Sequence, residues 1–405
     1  MTNTTAMTRY ITTTLAVLLV CVSAASGQEP ASGLNAEDAR PNIVIILADD
    51  AGYADFGFTG GTLVPTPNID AFVFNVSSLT QFYTTASVCS PSRAGFLTGR
   101  YQQRFGHHSN LTAQASRAGL GLPTSEHTIA DHLKARGYLT GLIGKWHLGR
   151  TEELLPTSRG FDHFEGLPGG SRTYVPIVPE DGGIDEVRTM RREQRDEQGR
   201  VTSTILDEQA LDTESLAGTG EGFYVTDWIG DRAADFIESY AMDEDPFFLF
   251  VSFTAPHTPM EATPGDIEAS KGIEPERRRV YAAMMRSLDR AVAEITTALD
   301  HAGCADDTLV MFFNDNGGAT NNGSDNGRFR GMKGSKWEGG VRVPAAIRWP
   351  AHIAPGTRFT PIVSSMDLTA TAVALAGGAI ENAAPLDGRS MLPAQTNTNP
   401  KPHPP

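Results

Sequence analysis

Four groups of polar residues stand directly after apolar runs of the chain, and their residue types suit metal binding and acid–base chemistry. They are Asp49-Asp50, Lys145-Trp146-His147, Pro256-His257 and Asn314-Asp315-Asn316. In an open α/β sheet, ligands bind beyond the carboxyl ends of the strands, so groups in these positions can converge on one pocket. That pocket would combine carboxylates, amides, imidazoles and a lysine.

The acidic pairs predict a site for a divalent cation. Adjacent carboxylates at Asp49 and Asp50 repel each other unless a cation or basic groups neutralise them, and Asp315 with Asn316 adds a second oxygen-rich pair. Oxygen ligands favour a hard cation. Taken singly, each pair could instead cap a loop or a helix. Their matched placement after apolar runs favours the metal site.

The histidines that follow apolar runs are candidates for proton transfer. His147 and His257 both lie just beyond predicted strands, where an imidazole can act as a general acid or base. Each, taken alone, could also be a packing or surface residue. His107 and His108 are more typical of histidines at the rim of a site or satisfied within the fold.

The segment from Cys89 to Arg100, CSPSRAGFLTGR, carries the most specific pattern in the chain. Ser90 suits a helix N-cap and Pro91 the first helical position, which would place Cys89 at a helix N-terminus that favours an anion. Cys89 could be a buried structural cysteine or a nucleophile of low pKa. Neither alternative accounts for the flanking Arg93 and Arg100.

The elements that must position these groups follow an alternating pattern. Continuous apolar runs predict strands buried on both faces of a sheet, at 42–48, 138–143, 247–253 and 308–313. Helical spacing predicts helices at 128–136, 227–240 and 275–301. This alternation predicts an α/β fold with a mostly parallel central sheet flanked by helices. The charge-rich stretch 180–222 is predicted to be an insertion or loop over the sheet edge, and the polar, proline-rich 393–405 a disordered tail.

Composition excludes several classes of protein. The chain has 405 residues, 40% of them hydrophobic and 20% charged, which is ordinary globular usage. Its net charge of −15 argues against a general nucleic-acid-binding protein, because that role requires an excess of basic groups. Any anionic substrate must therefore be bound by a local group of cations.

The N-terminal segment predicts export. The pattern of a signal peptide is present: Arg9 is followed by a mostly apolar run over 11–25 and by small residues up to Gly27. Residues 1–27 are therefore predicted to be removed, and the protein is predicted to be periplasmic or extracellular. The run is shorter than the roughly 20 residues of a bilayer span, which disfavours a retained anchor. Lipidation at Cys21 is disfavoured because Val20 is not a small residue. Cys89 and Cys304 then remain, too few for a disulfide framework.

Further motifs occur in order along the chain. They are Asp49-Asp50-x-Gly52-Tyr53-x-Asp55-x-Gly57, Thr66-Pro67-Asn68-Ile69-Asp70, Gly144-Lys145-Trp146-His147-Leu148-Gly149, Pro256-His257-x-Pro259, Asp315-Asn316-Gly317, and Arg330-Gly331-x-Lys333 leading to Glu338-Gly339-Gly340-Val341-Arg342-Val343-Pro344. Together with the Cys89 segment, they resemble the formylglycine-dependent (type I) sulfatases, an arylsulfatase-like family of the alkaline-phosphatase-like superfamily.

The resemblance implies a role for each matching residue. A divalent metal, usually Ca²⁺ with Mg²⁺ possible, would be bound by Asp49, Asp50, Asp315, Asn316 and an oxygen of Cys89 after its conversion to formylglycine. Arg93 would hold the formylglycine hydrate, and Lys145 and Lys333 would bind sulfate oxygens. His257 would protonate the leaving oxygen, and His147 would take a proton as sulfate leaves. Lys336, close to Lys333, is expected to be a neighbouring or surface lysine.

The resemblance also implies a fold, partners and a reaction. Residues 41–392 would form the catalytic domain of an exported sulfatase, with the small C-terminal subdomain usual in the family largely missing. A formylglycine-generating enzyme would modify Cys89, and the substrate would be a sulfated saccharide or an aryl sulfate. The alternatives are a phosphate or phosphonate ester hydrolase of the same superfamily and a non-catalytic protein that binds sulfated glycans. Specificity would depend on loops at 59–65, 166–179 and 180–222.

Overall fold

The apolar runs of the chain form neighbouring strands of one sheet. The computed structural model describes residues 40–74, 77–171, 174, 192–195, 201–205, 224–354 and 356–392. Within these residues the strands are β1 (Asn42–Ala48), β2 (Ser77–Tyr83), β3 (Leu139–Lys145), β4 (His163–Leu167), β5 (Arg192–Arg195), β6 (Val201–Ile205), β7 (Phe247–Ser252), β8 (Thr308–Asn314), β9 (Ala345–Arg348) and β10 (Arg358–Ser364).

The sheet is mixed and mostly parallel, as predicted. Its strand order is β10-β2-β9-β8-β1-β7-β3-β4-β6-β5. The run from β8 to β6 is parallel throughout, whereas β9 is antiparallel to β8 and β2, and β5 is antiparallel to β6. At the centre, Ile45 of β1 is paired with Phe250 of β7 on one side and Met311 of β8 on the other.

Helices cover both faces of the sheet. They are α1 (Pro67–Phe74), α2 (Cys89–Thr98), α3 (Ala113–Arg117), α4 (Ile129–Lys134), α5 (Val225–Tyr240), α6 (Pro264–Ala269), α7 (Glu276–His301), α8 (Glu338–Val341) and α9 (Ser365–Leu375). Side chains of β1 alternate between two buried cores: Val44 and Ile46 pack with α1, α5 and α7, and Ile43 and Ile45 pack with α2, α4 and α9. The prediction of strands buried on both faces is confirmed.

Several element boundaries differ from the sequence-based prediction. Strand β3 continues through Gly144 and Lys145, because these residues pair with β4. Helix α2 begins at Cys89 with Val88 as its N-cap, so the predicted N-cap at Ser90 and first helical position at Pro91 are wrong. In the stretch 180–222, predicted to be an insertion or loop over the sheet edge, the described residues form β5 and β6, which pair antiparallel and extend the sheet beyond β4.

Parts of the chain carry no structural description. The predicted signal peptide, 1–27, and the predicted disordered tail, 393–405, lie outside the described residues. Among the helices that are described, none combines the length and apolar character needed to cross a bilayer.

The order of the central strands determines where the chemical groups meet. Strands β8, β1, β7 and β3 are consecutive and parallel, so their carboxyl ends lie along one edge. The polar groups predicted to follow these strands are therefore brought together there.

Candidate active site

The carboxyl ends of β1, β3 and β8 place carboxylates and a lysine in direct contact. Asp49 follows β1, and the buried ammonium of Lys145, the last residue of β3, contacts its Oδ2. The backbone N–H of Asp50 faces Oδ1 of Asp315 at 3.4 Å, which joins the loops after β1 and β8. The convergence predicted from the sequence therefore occurs.

Cys89 lies at the N-terminus of α2, fully buried against this group. Its Sγ is 3.5 Å from Oδ1 of Asp49. Burial raises the pKa of the Cys89 thiol well above its usual value, and the carboxylate of Asp315 raises it further. These surroundings disfavour a thiolate, so the geometry does not support the alternative in which Cys89 is a nucleophile of low pKa.

The charges around Asp49 and Asp315 give these two carboxyl groups different pKa values. Burial alone would raise the pKa of Asp49, but Lys145, together with His257, Arg93 and Lys333, outweighs it and holds that pKa well below its usual range. Burial and the neighbouring Asp49 raise the pKa of Asp315 to about 7. The buried site thus sets three carboxyl groups beside three basic side chains, and Asp315 is the carboxyl group whose ionised form is least favoured.

The oxygen atoms of the site fit a hard divalent cation. Asn316 donates through Nδ2 to Oδ1 of Asp50 at 2.8 Å, whereas its own Oδ1 is buried and has no hydrogen-bond partner among the described residues. A buried amide oxygen without a donor, beside three carboxylates, is the environment that a cation with oxygen ligands satisfies. The ligand atoms of Asp49, Asp50, Cys89 and His257 also lie within 4.8 Å of one another.

A close approach of backbone segments holds the Asp315-Asn316 pair. A Cβ atom added to Gly317 would lie 2.0 Å from the carbonyl oxygen of Gly339. The N–H of Gly317 donates to the carbonyl of Gly340 at 2.9 Å. Only glycine fits at this position, and the contact fixes the loop after β8 against α8.

The predicted basic residues surround the carboxylates from two sides. Arg93 is buried; its Nε donates to Oδ2 of Asp315 at 3.2 Å and its Nη1 to Oγ of Ser252 at 2.6 Å. Lys333 approaches from the loop before α8, with Nζ 2.7 Å from Oδ2 of Asp50. Both cations therefore lie at the candidate metal ligands. Lys336 is exposed, as predicted.

His257 is oriented by its neighbours toward the carboxylates. Its Nδ1 is 2.6 Å from the carbonyl oxygen of Thr258, which can only accept, so Nδ1 carries the proton and Nε2 lies 3.6 Å from Oδ2 of Asp50. The hydroxyl of Tyr174 donates to carbonyls of this loop, at 2.8 Å from that of His257. Burial lowers the pKa of His257.

His147 is also held in one tautomer. Its Nε2 is 3.1 Å from the carbonyl oxygen of Leu111 and must donate to it, which leaves Nδ1 unprotonated. That Nδ1 atom is buried and lacks a hydrogen-bond partner within the described part of the chain. Burial, with Lys145, holds the pKa of His147 well below its usual value. The imidazole is therefore a neutral acceptor.

Three residues that sequence reasoning did not assign to the site connect His147 to Cys89. The Ser90 hydroxyl is 2.8 Å from the carbonyl oxygen of His147 and 2.7 Å from Nε2 of His107. Asn110 accepts from the backbone N–H of Ser90 at 2.9 Å and so caps the first turn of α2. His107 is buried rather than at a rim, whereas His108 is exposed. No sequence pattern signals these contacts.

A cleft with a volume of about 230 Å³ opens beside the two catalytic candidates His147 and His257. The other residues that line it are Asn110, Leu111, Thr112, Ala113, Ser116, Arg150, Gly169, Gly170 and Ser171. The loop 166–179, predicted to influence specificity, contributes Gly169, Gly170 and Ser171 to this wall. The cleft borders the buried group of charges through His257, whose Nε2 is 3.6 Å from Oδ2 of Asp50.

Known proteins share both the sequence and the fold. The family model described as Sulfatase matches residues 41–379. Human arylsulfatase A is 36% identical over 377 residues, which cover 89% of this chain and 69% of that protein. Mouse arylsulfatase G is 32% identical over 378 residues, covering 87% and 68%. A solved structure, described as Ps i-CgsB in complex with k-i-k-neocarrahexaose, is 35% identical with a TM-score of 0.76, covering 88% of this chain and 76% of its own.

Proposed function

Since this chain belongs to the sulfatase family and is a hydrolase of sulfate esters, we propose that it works through a formylglycine made from Cys89, on sulfated saccharides or aryl sulfates. The observation that carries the proposal is the position of Cys89, buried at the start of α2 with Sγ 3.5 Å from Asp49. A thiol of raised pKa is a poor nucleophile, so conversion gives the site the nucleophile it otherwise lacks. The saccharide bound in the related solved structure supports the first substrate class.

Formylglycine and the divalent metal ion would each supply one kind of chemistry. Formylglycine, as a hydrated aldehyde, supplies one hydroxyl to attack the ester sulfur and a second that permits release of sulfate, which a serine or thiol lacks. Asp49, Asp50, Asp315 and Asn316 would hold a Ca²⁺ or Mg²⁺ ion, which supplies positive charge beside residue 89. The unpartnered Oδ1 of Asn316 supports this ligand set.

The lysines and the arginine bind and orient the anionic groups. Lys145 and Lys333 lie on either side of the Asp49-Asp50 pair, so both can donate to the sulfate oxygens as negative charge develops on them. Arg93, which reaches Asp315 from within α2, holds the side chain of residue 89 in place. These cations, rather than the net charge of the chain, attract the sulfate group.

The histidines move the protons. His257, whose Nδ1–H is held by the Thr258 carbonyl, presents Nε2. Once Nε2 has taken a proton from solvent, the ring gives that proton to the alcohol oxygen as the S–O bond breaks. His147 presents an unprotonated Nδ1 and takes the proton of the remaining hydroxyl as sulfate departs. The lowered pKa keeps both rings neutral at neutral pH, which suits His147 as a proton acceptor and makes a protonated His257 a strong acid toward the leaving oxygen.

Coexpression with a formylglycine-generating enzyme tests the proposal. The peptide that contains Cys89 should lose the mass expected for conversion of CH₂SH to CHO. The purified protein should release sulfate from 4-nitrophenyl sulfate, and this release is measured both in the absence and in the presence of a competing saccharide. Cys89→Ala should abolish release. A converted protein that cleaves 4-nitrophenyl phosphate in preference to the sulfate would contradict the proposal and favour a phosphate or phosphonate ester hydrolase.

We further propose that residues 1–27 direct export to the periplasm or the extracellular space. The support is the sequence pattern of a short apolar run followed by small residues. N-terminal sequencing of the protein recovered from the periplasm or medium should begin after Gly27. A full-length protein retained in the cytoplasm would contradict this.

A further inference from the structure

The first turns of α7 carry two buried polar side chains that meet at one carboxylate. Arg278 and Tyr281 lie on the same face of the helix, and both are buried. The Tyr281 hydroxyl donates to Oδ2 of Asp55 at 2.5 Å, and Nη2 of Arg278 donates to Oδ1 of the same carboxylate. Asp55 belongs to the motif that begins at Asp49, but the proposed mechanism gives it no role. These contacts connect α7 to the segment that follows β1.

Asp55 joins the loop after β1 to the segment 315–337, which lies between β8 and α8. Its Oδ2 also accepts from the backbone N–H groups of Gly52 and Asp325, each at 2.9 Å. The carbonyl of Asp325 accepts in turn from the N–H of Ala54 at 2.8 Å. A Cβ atom added to Gly52 would lie 2.2 Å from that carbonyl oxygen, so the two segments pack backbone against backbone.

Both segments carry candidate metal ligands next to these contacts. Gly52 closely follows Asp50 in the chain, and Gly318 closely follows Asn316. A Cβ atom added to Gly318 would lie 2.6 Å from the Cα of Gly52, so the two backbones touch beside the ligands. Asn316 itself donates to Oδ1 of Asp50 at 2.8 Å. A shift of either segment would therefore change the distance between the ligand oxygens.

The charge of Asp55 is satisfied within this group of residues. Its two oxygens accept from two backbone N–H groups, the Tyr281 hydroxyl and the Arg278 guanidinium, which also supplies a positive charge. Burial, with the carboxylate of Asp55, raises the pKa of Tyr281 well above its usual value, so the hydroxyl remains a donor at neutral pH. Asp55 can thus act on the site through its backbone partners rather than as a ligand.

We propose that Tyr281 and Arg278 are positioning residues for the cation site. By fixing Asp55, they fix the loops that carry Asp50 and Asn316. The inference rests on the proposed function, because it requires that these two residues bind a divalent cation. Helix α7 pre-organises the ligand oxygens, and the affinity for the cation depends on a hydroxyl that is not among the ligands. Hydrogen-bond partners of this kind commonly change metal affinity by about ten- to a hundredfold.

The Ca²⁺ affinity of matched tyrosine variants tests this role. Tyr281→Phe removes only the hydroxyl. Tyr138→Phe, the control, removes another buried hydroxyl, which donates to the carbonyl of Pro41 at 3.1 Å near the amino ends of β1 and β3. Each protein, converted at residue 89 and freed of metal by chelation, is titrated with Ca²⁺ by calorimetry. Tyr281→Phe should raise Kd about tenfold or more, whereas Tyr138→Phe should leave it unchanged although it too loses a buried hydrogen bond.

A second variant and the wild-type protein complete the test. Arg278→Lys keeps the charge beside Asp55 but loses the planar fork that also reaches the carbonyl of Gly323. It should raise Kd as well, and it provides the test if Tyr281→Phe does not fold. Unchanged Ca²⁺ binding in both α7 variants, or the same rise in Kd for Tyr138→Phe, overturns this inference alone. Wild-type protein that binds no divalent cation would refute the cation site of the proposed function, and this inference with it.

Discussion

Two residues of the active site, Asp50 and His147, have backbone conformations that L side chains rarely adopt. Their φ angles are 68° and 64°, and in the described part of the chain Asn382 is the one other non-glycine residue with positive φ. Such conformations cost about 1 kcal/mol or more each and persist where surrounding contacts enforce them. The contacts to Asp315 and Ser90 do so here. These strained backbone conformations therefore set the directions of two side chains, the candidate metal ligand Asp50 and the proposed proton acceptor His147.

The pair His107 and His108 offers a test of the contacts that orient His147. His107→Ala removes the imidazole that contacts the buried Ser90 hydroxyl, so the hydroxyl loses one of its two partners and the His147 carbonyl is held less firmly. We expect kcat to fall about tenfold through misplacement of His147, with a smaller change in KM. His108→Ala, at an exposed neighbour, should change neither value. Steady-state kinetics measures both, and equal effects at the two positions would contradict this role for His107.

The proposed role of His257 predicts a dependence on the leaving group. If its Nε2 protonates the departing oxygen, His257→Ala should slow hydrolysis of a saccharide sulfate about a hundredfold or more, because an alkoxide is a poor leaving group. Hydrolysis of 4-nitrophenyl sulfate should be much less affected, since nitrophenolate leaves without a proton. Comparison of kcat for the two substrates measures this. The same loss for both would indicate that His257 serves only binding or cation coordination.

At the scale of elements, the carboxyl group of Glu294 lies where α7 packs on α5, in an environment that raises its pKa. The Oε2 atom of Glu294 is buried without a hydrogen-bond partner among the described residues and lies close to Gly230. Burial, with Asp231 and Asp227, raises the pKa of Glu294 from 4.5 to about 7, and Arg290 opposes this. The folded state therefore favours the neutral carboxyl group.

This environment predicts a pH-dependent stability. Because the folded pKa is raised, the contribution of Glu294 is fully present below pH 4.5 and is lost as pH rises through about 7. Glu294→Gln, which is neutral at every pH, should increase the free energy of unfolding at pH 8 by about 1 kcal/mol once solvent screening is considered, and by less at pH 5. Urea unfolding at both pH values measures this. Glu238→Gln, at an exposed residue of α5, is the control, and a gain independent of pH would contradict the prediction.

At the scale of the whole molecule, the active site joins strands and helices that are distant in sequence. Asp49 and Asp315 follow adjacent strands, Cys89 and Arg93 come from α2, and Lys333 comes from the loop before α8. Repulsion among the carboxylates acts against this assembly, and a bound cation would relieve it. Cation binding should therefore stabilise the entire fold.

Removal of the cation tests, without an activity measurement, whether cation binding stabilises the fold. Chelation of the wild-type protein should lower Tm by several degrees, and Ca²⁺ should restore it in proportion to the logarithm of its concentration. Asp315→Asn reduces the repulsion and removes an anionic ligand, so this variant should respond less to both treatments. Differential scanning calorimetry measures the shifts. A Tm that is insensitive to chelator and to added Ca²⁺ would contradict a stabilising cation at this site.

The amino-acid sequence by itself determined the central strands and the set of residues that meet at the active site. Short continuous apolar runs rich in β-branched residues, such as NIVIILA, indicate strands buried on both faces of a sheet. The polar groups after them are then directed to one edge of the sheet. The motifs around Cys89 and Lys145 carried the family resemblance, which the match over residues 41–379 confirms.

The tertiary structure alone decided the contacts between segments that are distant along the chain. Val88 rather than Ser90 is the N-cap of α2, because the Ser90 hydroxyl is used by His107 and His147 and its N–H by Asn110. The polar strand β5 and the weakly apolar strand β6 form because the sheet edge at β4 offers β6 a partner and β6 in turn offers one to β5. Such contacts depend on strand order and loop paths, which no local residue pattern specifies. The same reason explains why the cleft and the contacts of Asp55 became visible only in the folded molecule.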